Sequence, residues 1–122
     1  MRIFKQYDFQ EWAKDEGLTD TILKKAINEL ERGLIDANLG AGLYKKRIAR
    51  PGHGKSGGYR TLIAFKQDER VIFIYGFAKN ERDNIDSNEK NVFKNVARYY
   101  LSLNDDELTK LVKKKTLVEM II

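Results

Sequence analysis

Residues 43–82 read LYKKRIARPGHGKSGGYRTLIAFKQDERVIFIYGFAKNER, and their alternation decides the fold. Period-two spacing sets Leu43, Lys45 and Arg47 on one side of a strand and Tyr44, Lys46 and Ile48 on the other. Neither side is wholly apolar, so at least one faces solvent or a ligand. Residues 59–65 alternate as well, with Tyr59, Thr61, Ile63 and Phe65 opposite Arg60, Leu62 and Ala64. A turn at 67–70 (QDER) leads into the almost continuously apolar run 71–77, which reads as a central strand. The three strands form an antiparallel meander, interrupted after the first by the glycine-rich insertion RPGHGKSGG (50–58).

On the N-terminal side, RIFKQ (2–6) is a candidate opening strand. A helix is expected from Asp8, with Glu11 completing a capping box, Phe9, Trp12 and Ala13 as its apolar face, and Gly17 at its end. A second helix, capped by Thr19, places Ile22, Leu23, Ala26, Ile27 and Leu30 at helical spacing and stops at Gly33. Lys24, Lys25, Asn28, Glu29 and Glu31 make its wet face. Residues 34–42 read as a turn-rich connection. After the meander, Asp86 and Glu89 open a helix with Val92, Phe93, Val96, Ala97, Tyr100 and Leu103 as its core face. Asn104 and Glu107 cap a shorter one, and the tail TLVEMII (116–122) either adds a strand or docks as a protected segment.

At 122 residues the chain is expected to be one domain, 1–122, with an ordinary core. It has no cysteine, and no segment approaches the ~20 apolar residues that span a bilayer, so a soluble cytoplasmic protein is expected. The net charge of +5 is unevenly spread: residues 37–67 carry seven Lys or Arg and no Asp or Glu, and the rest of the chain is net negative. Such a local excess is the footprint of a polyanion partner.

Most catalytic chemistries are poorly supported. One histidine, no cysteine and no carboxylate cluster in the basic segment leave no obvious metal-ligand set, and no cofactor is expected. There is no nucleophile elbow, and GHGKSGG (52–58) lacks the phosphate-loop spacing and runs into a strand. What remains is chemistry done by cations on a phosphate. RNA is cut without metal when its own 2′-hydroxyl attacks the adjacent phosphorus. The protein must then take the hydroxyl proton, stabilise the added negative charge and protonate the departing 5′-oxygen. Arginine suits the second task, because its fork matches phosphate and keeps its charge. Lysine or histidine must move the protons, and a lysine does so only where neighbouring cations crowd it.

The strings RPGHGKSGGYRT (50–61) and YGFAKNERDNI (75–85), in the order strand, two helices, meander, helix, resemble the RelE/HigB-like toxins of bacterial toxin–antitoxin modules. The resemblance covers roughly residues 2–100. It implies an α+β fold in which two N-terminal helices pack on a twisted antiparallel sheet of about three to four strands, followed by a C-terminal helix. It also implies a metal-independent endoribonuclease that cleaves mRNA in the ribosomal A site, and a cognate antitoxin of helix-turn-helix type as partner. By position, Arg60 matches the arginine that stabilises phosphate charge, Lys45 and Arg47 a basic pair on the preceding strand, and Lys79 and Arg82 basic positions after the third strand. Asn80 and Asp86 depart from the family, standing where an arginine and a tyrosine are expected; His53 or Lys55 are candidates to replace the lost groups. Lys46, Arg50 and Lys55 are further candidates for contact with RNA. The rival reading is a non-catalytic nucleic-acid binder, or a ParE-like gyrase inhibitor, of the same fold.

Overall fold

The computed structural model of the chain describes residues 1–50 and 54–121, with 54–56 described through their backbone alone. The meander forms as read: β3 (Leu43–Arg50), β4 (Gly54–Lys66) and β5 (Arg70–Ala78) pair antiparallel in succession. Because β5 is apolar on both sides, it needs a partner along its other edge and a layer over each face. The opening strand β1 (Arg2–Gln6) supplies the edge, running parallel to β5 with Ile3 beside Val71 and Phe4 beside Ile72. Two more strands close the sheet, β2 (Ala37–Gly40) beside β3 and β6 (Leu117–Met120) beside β1. Among the described residues the sheet is therefore six-stranded and mixed, in the order β2-β3-β4-β5-β1-β6. This corrects the expected three or four antiparallel strands. The difference comes from β2, hidden in the turn-rich connection, from the tail, and from the N-terminal strand entering parallel.

Helices cover both faces. Helices α1 (Tyr7–Asp15) and α2 (Asp20–Glu31) enclose one core with Ile3, Phe9, Leu23, Ile27, Ile48, Ile63 and Phe73. On the other face α3 (Ser87–Ser102) and α4 (Asp105–Lys113) enclose Phe4, Leu43, Leu62, Ile72, Ala97, Tyr100 and Leu108. Among the described residues, no helix is long and apolar enough to cross a membrane.

Helix ends follow the capping chemistry with one exception. The Thr19 hydroxyl accepts from the Ile22 N–H at 3.3 Å, and Asp86/Glu89 and Asn104/Glu107 make complete capping boxes on α3 and α4. Helix α1 instead starts at Tyr7, and Asp8 lies inside its first turn without capping it. The Tyr7 N–H donates to the Thr116 carbonyl at 3.0 Å, so the tail satisfies one of the first-turn donors that have no partner within the helix. Arg70, the first residue of β5, is buried and donates to the carbonyls of Tyr100 and Leu103, closing the C-terminal end of α3.

Candidate phosphate-binding site

Register sets the site. In the ladder Arg47 lies opposite Arg60, and Arg60 opposite Phe77; in the neighbouring row Lys45, Leu62 and Tyr75 stand side by side. Directly opposed residues hold their Cβ atoms about 5 Å apart, so these side chains share one patch of the α3 face. Three of the expected cations, Lys45, Arg47 and Arg60, thus come together on β3 and β4, beside two aromatic rings of β5.

The two arginines have different surroundings. Arg60 is only 4% exposed, and its pKa is held below the usual guanidinium value, first by burial and then by the Arg47 charge, against the opposing fields of Asp36 and Asp83. Arg47 is exposed and tethered: its backbone N–H donates to Asp36 Oδ2 at 2.6 Å, and its Nε lies 3.4 Å from Asp36 Oδ1. The Asp36 N–H in turn donates to the Lys45 carbonyl at 3.0 Å. Asp36 therefore fixes the approach of β3 and orients Arg47 over the sheet. Its signal in the sequence is its isolation, since it is the only acid between Glu31 and Asp68.

The loop after β5 closes the patch on its other side. Arg82 donates to both carboxylate oxygens of Glu89, at 3.0 Å for Nη1 to Oε2, and also to the Tyr75 hydroxyl at 3.2 Å and the Asn84 carbonyl at 3.1 Å. Its guanidinium lies 5.5 Å from the centre of the Phe77 ring. The pairing lowers the Glu89 pKa to about 2 and raises that of Arg82. Tyr75 stacks on Phe93 of α3 with ring centres 5.0 Å apart. Arg82 is in this way bound into the scaffold of the loop. Lys79 is exposed in the turn, and its N–H donates to the Gly58 carbonyl at 3.0 Å, tying the loop to the segment that precedes Arg60. Asp86 is committed to the α3 cap.

Two expected RNA contacts lie elsewhere. Lys46 is 3% exposed and faces the α2 side, where its Nζ pairs with Glu29 at 2.7 Å; Glu29 is correspondingly half-buried and does not belong to a wet face. Arg50 lies 5.8 Å from the Tyr59 ring centre, and Tyr59 belongs to the core of that same side. The period-two alternation that carries Lys46 and Ile48 to that side carries Arg50 there as well. His53 and the Lys55 side chain lie outside the described residues. Among the described residues no three His, Cys, Asp or Glu side chains gather as metal ligands.

The family model for the RelE toxin of the RelE/RelB toxin–antitoxin system matches residues 1–120. The chain belongs to the RelE toxin family. As a RelE-family toxin it has a cognate antitoxin as its partner. No curated protein sequence matches this toxin.

Proposed function

We propose that this RelE-family toxin is a metal-independent endoribonuclease that cleaves mRNA, in association with the ribosome, through attack of the RNA 2′-hydroxyl. The observation that carries the reading is the opposition of Arg47 and Arg60 beside Lys45 on one face. The partly desolvated Arg60 is the phosphate stabiliser, because a donor in a site shielded from water acts more strongly on developing negative charge. Arg47, held by Asp36, and Lys45 position the flanking phosphates. The 2′-oxygen bonds to phosphorus as its proton leaves, and the phosphorus–5′-oxygen bond breaks as that oxygen gains a proton. The products are a 2′,3′-cyclic phosphate and a 5′-hydroxyl. Lys45 and a group from the insertion, His53 or Lys55, are the candidates for the two proton transfers. Lys79, at the rim, adds attraction for the strand.

Mapping of mRNA ends after induction tests this. The wild type is expected to leave cyclic phosphate and 5′-hydroxyl ends, with EDTA present or absent. Arg60→Ala should lower cleavage about 10²–10³-fold, the cost typical of one lost oxyanion donor, while retaining the circular dichroism of the wild type. A fully toxic Arg60→Ala protein, or DNA damage without mRNA cleavage, would overturn the reading.

A further inference from the structure

Strand β6 ends the sheet, so every second residue turns its backbone groups away from its one partner, β1. Beside this open edge runs a groove of about 750 Å³ lined by Met1, Tyr7, Val112, Val118 and Ile121, among others, with Lys115 at its rim. Its apolar side chains are unusually bare: Ile121 is 89% exposed, and Met1 and Tyr7 are also exposed. Residues 110–118 hold four lysines and no acid, and the acid of β6, Glu119, is already bound to Arg2 at 2.9 Å. Lys115 adds an independent sign. It stands at φ +64 just past the end of α4, its N–H donating to the Val112 carbonyl and that of Thr116 to Leu111. This is the left-handed position of a helix stop that glycine fills without strain, and here a cation occupies it.

We propose that the open edge of β6 takes an extended segment of the cognate antitoxin as a seventh strand. The segment presents apolar side chains to the groove and acidic ones to Lys113, Lys114 and Lys115. Strand addition supplies backbone hydrogen bonds, while the groove and lysines supply selectivity. A second copy of the toxin is a worse occupant, because it brings a second lysine rim to the same place. RNA fits an apolar, edge-on groove poorly. Strands β5 and β1 separate this edge from β4, a distance of about 14 Å at ~4.8 Å per strand. The segment is therefore an anchor that leaves Arg60 uncovered, and neutralisation falls to another part of the antitoxin. The proposal rests on family membership and is independent of the ribonuclease reading.

Hydrogen exchange on the full-length toxin, alone and with the antitoxin purified from the adjoining reading frame, tests it. Amides of residues 116–121 are expected to slow by about tenfold or more in the complex. Unchanged exchange there overturns the proposal, as does slowing produced by RNA alone or by raising the concentration of free toxin. Lys115→Gly relieves the left-handed strain, so it should melt no lower than the wild type yet leave the antitoxin about threefold faster, the effect of one rim charge. An unchanged dissociation rate would remove the lysine rim from the interface and overturn the proposal as stated. Cleavage of mRNA by this variant is read separately, so failure of the anchor and failure of the ribonuclease reading give different results.

Discussion

At the scale of single residues, partners within the protein set what each cation of the site does. Arg82 bonds Glu89, Tyr75 and the Asn84 carbonyl, and so shapes the loop over Phe77. Its partner Glu89 has a pKa depressed from 4.5 to about 2. A depressed carboxylate stabilises the fold fully above the pKa of the unfolded chain, and that contribution fades as pH falls through the folded value. Wild type should thus melt above Glu89→Gln at pH 6, and the gap should shrink from about pH 4.5 down to pH 2 in melts followed across that range. The Lys46–Glu29 pair behaves differently, because its lysine is buried. Glu29→Gln leaves a buried ammonium without its counter-charge and should cost roughly 3–5 kcal/mol in urea melts, whereas the apolar double replacement Lys46→Met/Glu29→Leu should recover most of it. Alternation along β3 correctly divides its residues between two faces. It does not say which face is open, because each carries a lysine and an apolar residue. That choice depends on Glu29, and helical spacing alone had put Glu29 on the outside.

At the scale of elements, close fits fix how α1 sits on the sheet. Gly76 of β5 lies directly beneath Trp12, and a methyl group there would overlap the indole ring. Trp12 also meets Phe9 and the edge of Tyr59, with ring centres 5.5 Å from each. Gly76→Ala should therefore destabilise by about 1–3 kcal/mol, the usual range for overpacking. Adding Trp12→Leu should make the glycine replacement nearly silent, a coupling that a double-mutant cycle in denaturant would measure. Elements with strong local signals were readable beforehand: α2, α3 and α4 with their caps, and the meander with its alternation. Those set by distant partners were not. The four residues of β2 are defined only by pairing with β3, and α1 begins early because Thr116, more than a hundred residues away, accepts its first N–H. The parallel entry of β1 had no local marker either, since five residues pair equally well in both directions.

At the scale of the whole molecule, the sheet divides the cations between its two faces, and that division predicts how the toxin responds to salt. Lys45, Arg47 and Arg60 share the α3 face, whereas Lys46 and Arg50 lie on the α1–α2 side. For single-stranded nucleic acid, each phosphate neutralised contributes a slope of about −0.7 in log K against log salt concentration. If the three cations of the open face each engage one phosphate, binding of a short non-cleavable RNA with 2′-O-methyl riboses should show a slope of roughly −2. Arg47→Ala should weaken binding at low salt and flatten that slope by about 0.7. The Lys46→Met/Glu29→Leu protein should keep both the affinity and the slope, even though it has lost a lysine from the most basic stretch of the chain. Loss of slope in the Lys46 variant equal to that in Arg47→Ala would mean that RNA senses only the total charge of the segment 37–67. Different slopes would mean that the fold selects which of its charges RNA meets, and fluorescence anisotropy titrations at a series of salt concentrations distinguish the two.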